Sequence, residues 1–214
     1  MPVVPDPATV SLSDQLDAWV GNKRDRTLGS LIGTFEDKSF AILFVLLLGV
    51  PALPLPTGGA THVMEVIAAL LALELIAGRT EVWLPQRWRR LELAGARQQR
   101  FIAALMRLIR RLERFSHPRL RFLFNHRFSN RLFGLLVLGG SAGAFFAPPF
   151  SGLDTLPALG VVLLSLGVLL EDVLIALAGL LVGAAGVVLE ITVGSLAVHA
   201  LGNLFGGSIT RRLP

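Results

Sequence analysis

The sequence has no cysteine in its 214 residues. It therefore forms no disulfide and offers neither a thiolate nucleophile nor a thiolate metal site. Histidine is scarce as well, with four in the chain, and none of them has the spacing of metal ligands. Neither a glycine-rich nucleotide-binding loop nor a His-Glu-x-x-His motif is present. We therefore expect a protein that is not an enzyme, with no catalytic residue, no bound metal and no cofactor.

Charged residues are also few, at 16% of the chain, whereas 53% of the residues are hydrophobic and the mean hydropathy is +0.65. These values are too apolar for an ordinary soluble domain. Several apolar runs approach or reach the ~17–25 residues that span the hydrocarbon core of a bilayer. They cover residues 40–56, 59–78, 132–149, 155–170, 173–189 and 191–205. Residues 1–36 carry charges without a continuous apolar core, so we expect no signal peptide. The composition predicts an all-α integral membrane protein.

Two segments of the chain resemble each other at a constant offset of 93 residues. Residues 37–79 align without a gap on residues 130–172, and Phe40 falls on Phe133. Each copy reads as a helical hairpin broken by proline and glycine, a pattern with which membrane transporters build sites within the bilayer. The break residues are Pro54, Pro56, Gly58, Gly59, Pro148, Pro149 and Gly152. Residues 40–50 would be only ~16 Å long as a helix, so re-entry is favoured over a full span of the ~30 Å core.

The linker between the two copies is strongly basic. From Arg79 to Arg131 there are fourteen arginines and three acids, so the positive-inside rule predicts that the linker is cytoplasmic. Basic residues near both termini, among them Lys38 and Arg211, predict that the two ends of the chain lie on the same side. Both copies would then start and finish on one face of the membrane. They are therefore expected to be parallel rather than inverted repeats.

These patterns divide the chain into successive segments. They are cytoplasmic N-terminal surface helices (1–36), a first membrane repeat (37–79), an Arg-rich amphipathic linker (80–129), a second membrane repeat (130–172), C-terminal transmembrane helices (173–206) and a basic cytoplasmic tail (207–214). Ser11 or Ser13 is positioned to cap the first surface helix. Residues 173–205 would be ~50 Å long as one helix, so we expect a helical hairpin that turns near Glu190 to Gly194, or one strongly bent element.

Two further patterns concern contacts with partners. Gly179 and Gly183 form a small-xxx-small pair, which suits either packing within the chain or a homo-oligomer. In the linker, an apolar stripe at helical spacing predicts an interfacial helix on the cytoplasmic leaflet. The stripe consists of Phe101, Leu105, Leu108, Leu112 and Phe115. The arginines expected to contact anionic lipid headgroups are Arg100, Arg107, Arg110, Arg111 and Arg114. Because no nucleic-acid motif accompanies them, we expect no nucleic-acid partner.

Ionisable residues within apolar segments are candidate functional sites, because charge is costly in hydrocarbon. The candidates for binding a substrate or ion are His62, Glu65, Glu74, Asp154 and Glu190. His62 and Glu65 share a helical face, which suits either a plain hydrogen-bonded pair or a proton or ligand site. Three roles are open for Glu74: a side chain that extends to the membrane surface, a pair with Arg79, or a binding site for a substrate or ion. Asp154 suits a cap on a helix that starts at Thr155, or a ligand contact.

The two helices that follow the breaks would bring two helix N-termini together, which favours an anion such as a phosphate headgroup. The position of Glu190 relative to His199 depends on how the C-terminal segment folds. In one continuous helix the two residues would face opposite sides, because they are nine residues apart. A turn near Gly194 would allow them to meet.

Several short motifs resemble those of the ExoD exopolysaccharide-synthesis family. They are Pro54-Leu55-Pro56, Glu74, Gly78-Arg79 and Trp83-Leu84-Pro85 in the first half, and Pro148-Pro149, Leu156-Pro157-Ala158, Leu166-Gly167 and Glu171-Asp172 in the second. The similarity runs over residues 27–190. Glu74 and Asp154 stand where that family usually has neutral amides. The resemblance implies a protein of the bacterial inner membrane that is connected with exopolysaccharide production.

The sequence leaves three hypotheses for function. The first is a membrane protein that binds or translocates a lipid-linked anion, of which polyprenyl phosphate is the example. The second is a transporter coupled to protons or cations, with Glu65, Glu74, Asp154 or Glu190 as the titrating group. The third is a scaffold for a polysaccharide synthase complex.

Overall fold

The computed structural model describes residues 11–22, 26–35, 38–53, 60–93, 95–114, 127–147 and 151–209. Within these ranges the regular structure is helical, which confirms the all-α prediction. The helices are α1 (Leu12–Gly21), α2 (Leu28–Thr34), α3 (Ser39–Leu48), α4 (Ala60–Ile76), α5 (Gln86–Arg89), α6 (Ala96–Glu113), α7 (Arg127–Phe146), α8 (Thr155–Leu170) and α9 (Val173–Ile209). As predicted, Ser11 caps α1, because its hydroxyl accepts a hydrogen bond from the backbone N–H of Asp14 at 3.1 Å. The six predicted break residues other than Gly152 lie outside the described ranges.

The apolar bundle consists of α3, α4, α7, α8 and α9. In it α3 packs on α8 and α4 packs on α7, so each of the two similar segments contacts the other. The ring of Phe44 meets that of Phe133 edge to face, with centroids 5.7 Å apart. Apolar side chains from both segments form a shared core rather than two separate ones.

The ends of the two segments make related contacts at the offset of 93 residues. Gly78, after α4, and Glu171, after α8, both have left-handed backbone conformations, with φ of 88° and 55°. Lys38, at the start of α3, donates hydrogen bonds to the Leu169 carbonyl at 3.0 Å and to the Glu171 carboxylate at 2.8 Å. Arg131, 93 residues after Lys38, lies 3.5 Å from the position that a Cβ of Gly78 would take. Helix starts and helix ends therefore meet at one end of the bundle.

The C-terminal segment differs from the predicted hairpin, because Val173–Ile209 is one helix of 37 residues. The hairpin prediction was wrong for a simple reason. The segment contains no proline, and a lone glycine such as Gly194 costs a helix only ~1 kcal/mol relative to alanine. Among the described residues, Val173–Leu196 is the stretch that is both long and apolar enough to cross a membrane, with mean hydropathy 2.4 and 17% of its window buried. Ser39–Leu48 and Thr155–Leu170 are shorter apolar helices.

Small residues bring α8 and α9 into backbone contact. A Cβ on Gly160 would lie 2.3 Å from the Cα of Gly183, and one on Gly179 would lie 2.3 Å from the backbone N of Leu164. Gly186 packs in the same way against Pro157. The pair Gly179 and Gly183 thus serves packing within the chain, which is one of the two predicted uses.

The amphipathic helix α6 uses its apolar face against the protein. Its buried side chains are Ile102, Leu105, Met106 and Ile109. The helix α1 packs beside it, where the Ser13 N–H donates to the Glu113 carboxylate at 3.0 Å. The prediction that the apolar stripe lies on lipid was therefore wrong for Leu105, which is 6% exposed, whereas Leu108 is 39% exposed. Phe115 lies outside the described residues.

Candidate functional site

A carboxylate is fully buried in the first half of α4. The side chain of Glu65 is 0% exposed, and one of its oxygens is 2.8 Å from Nδ1 of His62. Among the described residues, the other oxygen, Oε1, has no hydrogen-bond partner. The His62 ring also packs against the ring of Phe145 in α7, with centroids 5.4 Å apart. The predicted His62–Glu65 pair therefore forms, and it leaves one carboxylate oxygen available.

Glu190 contributes a second buried carboxylate from α9. It is 8% exposed, and its Oε1 atom also has no partner within the described part of the chain. Its other oxygen lies 3.5 Å from the position of a Cβ on Gly143 of α7. The same Cβ would lie 2.8 Å from Val187, so a glycine is needed at this point for α7 to approach α9. The close approach of the two helices holds Glu190 inside the bundle.

Asp154 completes a cluster of three carboxylates. It stands at the N-cap position of α8, which begins at Thr155 as predicted, but its side chain makes no capping hydrogen bond. Its carboxylate interacts electrostatically with both Glu65 and Glu190, and those two interact with each other. The predicted capping role was therefore wrong for the side chain. We name Glu65, Asp154, Glu190 and the neighbouring His62 the carboxylate cluster.

The cluster lies at the opposite end of the bundle from the contact between Lys38 and Glu171. Glu65 is in the second turn of α4, and Asp154 immediately precedes α8, so both are near the breaks that join the helices of each segment. Gly152, the break residue that the structure describes, has φ of 69° and no atom within 4 Å of its Cβ position. In the second segment, Asp154 therefore lies two residues after a described break residue.

Other candidates lie elsewhere. A carboxylate oxygen of Glu74 accepts a hydrogen bond from the backbone N–H of Trp83 at 3.1 Å, so this residue orders the loop after α4. Glu171 pairs with Lys38, and Asp172 accepts a hydrogen bond from the backbone of Leu174 at 2.8 Å. His199 is exposed, and its Nδ1 atom is 2.7 Å from the carbonyl of Ser195 in its own helix. In the continuous helix it does not meet Glu190, in agreement with the nine-residue spacing.

The arginines predicted to contact lipid headgroups are exposed on α6 or directly after it. Arg100, Arg107, Arg111 and Arg114 lie on this surface. Arg110 is also exposed, but it donates a hydrogen bond to the Asp17 carboxylate of α1 at 2.8 Å. One predicted lipid contact is thus engaged within the protein.

Sequence reasoning missed two buried hydroxyls, those of Ser141 in α7 and Ser165 in α8. Both side chains are 0% exposed, and neither hydroxyl has a hydrogen-bond partner among the described residues. The signal available was a polar residue within each of two apolar runs. Ser141 lies in Gly-Gly-Ser-Ala-Gly, which has the spacing of a hydrolase nucleophile elbow. An elbow requires an exposed serine at a strand-to-helix turn, whereas this serine is buried in the interior of a helix.

Within the described ranges, no group of three or more His, Asp or Glu side chains has the arrangement of a metal site. The members of the carboxylate cluster interact electrostatically without forming a chelating set. Binding of a proton to such a cluster relieves the repulsion between like charges.

Comparison with known proteins gives the same family that the sequence motifs indicated. Residues 12–192 match the family model described as "Exopolysaccharide synthesis, ExoD". An uncharacterized protein of Synechocystis sp. is 31% identical over 192 residues, which cover 88% of this chain and 86% of that protein. Protein ExoD of Rhizobium meliloti is 30% identical over 159 residues, which cover 73% of this chain and 66% of that protein. No solved structure matches. The chain therefore belongs to the ExoD family of exopolysaccharide-synthesis proteins.

Proposed function

We propose that this protein supports exopolysaccharide synthesis as a proton-coupled, non-enzymatic transporter of the bacterial inner membrane, with the carboxylate cluster as its proton-binding site. Membership of the ExoD family implies the involvement in exopolysaccharide synthesis. The observation that carries the proposal is Glu65, a fully buried carboxylate with one oxygen bonded to His62 and the other without a partner among the described residues. Ionisable groups within membrane helices are costly and are found mainly where they serve ion or proton movement.

The charge of the cluster selects the kind of ligand. It contains three carboxyl groups and one imidazole, so the groups that accept a proton or bind a cation dominate it. A proton or small cation would therefore be attracted, and the phosphate of a lipid-linked anion would be repelled. The N-termini of α4 and α8 are favourable for anions in isolation, but here they adjoin Glu65 and Asp154.

The arrangement of the histidine and carboxylate side chains favours a proton over a chelated metal ion. Neither described histidine lies with two carboxylates in a chelating arrangement. A single carboxylate oxygen that has no partner in the described part of the chain, as on Glu65 and Glu190, is sufficient to accept a proton. We therefore favour the proton over a divalent cation as the coupling ion.

We infer a membrane arrangement from the same contacts. The two similar segments act as parallel repeats, with the basic end that contains Lys38 and Arg131 in the cytoplasm. From there, α9 crosses the bilayer once, which leaves its far end on the opposite side. Glu190 is 17 residues after Val173, so it lies about 26 Å along the helix, near the outer limit of a ~30 Å core. This arrangement differs from the expected cytoplasmic C-terminus, which was inferred from basic residues such as Arg211.

The test is proton uptake by proteoliposomes that contain a pH-sensitive dye, driven by a potassium diffusion potential. We expect uptake above that of protein-free liposomes, and a fall of about tenfold or more in Glu65→Gln and Glu190→Gln, since each removes a proton acceptor. Glu74→Gln is the matched control, because it makes the same substitution in the same helix at a residue bound to the Trp83 backbone. Uptake that is equal in all three variants contradicts the proposal. No uptake in the wild type, together with retained polyprenyl phosphate in native mass spectrometry, would instead favour a carrier of lipid-linked anions.

A further inference from the structure

Buried oxygen atoms without hydrogen-bond partners are concentrated in the apolar bundle. Within the described residues, five buried side-chain nitrogen or oxygen atoms have no partner, and four of them are oxygens of this bundle. They belong to Glu65 in α4, Ser141 in α7, Ser165 in α8 and Glu190 in α9. The bundle helices α4, α7, α8 and α9 thus contribute one such group each.

These groups are unfavourable unless something hydrogen-bonds to them. A buried polar group without a partner costs ~1–3 kcal/mol, and native proteins contain few of them. Bound water is the usual partner of such groups in protein interiors. The two serines lie in otherwise apolar stretches of α7 and α8, where alanine would fill nearly the same space.

Ser141 and Ser165 lie within their helices, at positions between the two ends of the bundle. On α7, Ser141 is two residues from Gly143, which adjoins the Glu190 carboxylate, and one residue from Gly140, which packs against Val161 of α8. On α8, Val161, Ser165 and Leu169 are spaced four residues apart and so share one face of the helix. The Leu169 carbonyl accepts the hydrogen bond from Lys38. Successive steps along this face are about 6 Å.

We propose that the hydroxyls of Ser141 and Ser165, bridged by bound water, form the path by which protons pass between the carboxylate cluster and the Lys38–Glu171 end of the bundle. The proposal rests on the proposed function. In each step a hydroxyl or water oxygen accepts a proton on a lone pair and releases its own proton to the next oxygen. No bond other than O–H bonds forms or breaks, and the net result is the transfer of one proton from one end to the other.

The first segment has no serines at the positions that correspond to Ser141 and Ser165, so the path uses the second segment only. Ser141 corresponds to Leu48 and Ser165 to Ala72, both of which are fully buried and apolar. Ala72 also shows that this packing position tolerates alanine. A substitution of Ser165 by alanine is therefore expected to preserve the fold.

The experiment compares proton uptake and thermal unfolding for Ser141→Ala, Ser165→Ala and the double variant, all in full-length protein. We expect uptake to fall about fivefold or more in each, because the hydrogen-bonded chain is interrupted. The unfolding midpoint should stay the same or rise, because an unpaired buried hydroxyl is removed. Ser195→Ala is the control, since this exposed serine bonds to the Thr192 carbonyl of its own helix at 2.8 Å, outside the path.

The outcomes separate this inference from the function on which it rests. Normal uptake in the serine variants, combined with loss in Glu65→Gln, overturns the path and leaves the proton-coupled function intact. Absence of uptake in the wild type overturns both. If uptake and the unfolding midpoint fall together, Ser165→Thr decides, because it retains the hydroxyl. Recovery of uptake in that variant supports the path, and continued loss overturns it.

Discussion

The backbone contact between α8 and α9 gives a quantitative test of the bundle. A Cβ added to Gly160 would lie 2.3 Å from the Cα and 2.4 Å from the backbone N of Gly183. Carbon atoms attract best at ~3.5–4.0 Å, so Gly160→Ala would require the helices to separate by roughly 1.2 Å or more. The obstacle is backbone, which cannot rotate away as a side chain can.

The expected loss follows from two opposing terms. Overpacking of a well-packed core costs ~1–3 kcal/mol, and the backbone contact favours the upper part of that range. Alanine gains ~1 kcal/mol over glycine from helix propensity. The free energy of unfolding of Gly160→Ala should therefore fall by ~1–2 kcal/mol. Proton uptake should fall as well, because the α8–α9 distance sets the position of Asp154 relative to Glu190.

The measurement is equilibrium unfolding in mixed detergent micelles, followed by far-ultraviolet circular dichroism. Gly139→Ala is the matched control, because this glycine is in the interior of α7 with nothing within 4 Å of its Cβ position. That variant should gain ~0.5–1 kcal/mol from helix propensity alone. The packing argument is refuted if both variants shift in the same direction, or if Gly160→Ala is as stable as the wild type.

Three further predictions concern the ends of the bundle and its surface. Lys38→Ala should lower the free energy of unfolding by about 1 kcal/mol or less, since the pair with Glu171 is partly exposed. The double variant Lys38→Glu with Glu171→Lys, which exchanges the two charges, should recover part of this loss in a thermal unfolding experiment. Ser11→Ala should destabilise α1 by ~1 kcal/mol through loss of its N-cap, detectable as faster hydrogen exchange of the α1 amides and unchanged exchange in α9. Trp83, which is 65% exposed beside a basic stretch, should be quenched by brominated anionic lipid, whereas Trp19, which is 5% exposed, should not; equal quenching of the two would contradict this.

Composition and local patterns predicted the parts of this structure that depend on local chemistry. The all-α class, the Ser11 cap, the start of α8 at Thr155 and the His62–Glu65 pair all follow from residue type and spacing within a few positions. A hydrogen-bonded pair three residues apart needs only a helix to form. The ExoD motifs, which are also short and local, indicated the family that the comparisons show.

The errors have two sources: a length argument that the local sequence does not support, and faces or groups whose surroundings are set by distant segments. The hairpin predicted near Gly194 assumed that a helix must end where a bilayer ends, but nothing in residues 190–199 interrupts a helix. The apolar stripe of α6 was assigned to lipid because its partner, α1, is about 90 residues away in sequence and amphipathicity does not identify what covers a face. Ser165 was missed because a serine within an apolar run becomes notable only when its burial and lack of a partner are known.

The carboxylate cluster also explains why a chain with two similar segments has one such site. At the offset of 93, Glu65 corresponds to Ala158 and Asp154 corresponds to Thr61, so neither acid is repeated. Each segment supplies one carboxylate. The third comes from α9, which lies outside both segments. At the opposite end of the bundle, the similarity of the two segments is preserved: Lys38 contacts the end of α8, and Arg131 lies near Gly78 at the end of α4. The two similar segments thus share one scaffold, and the sequence differences between them, together with α9, determine where the three carboxylates lie.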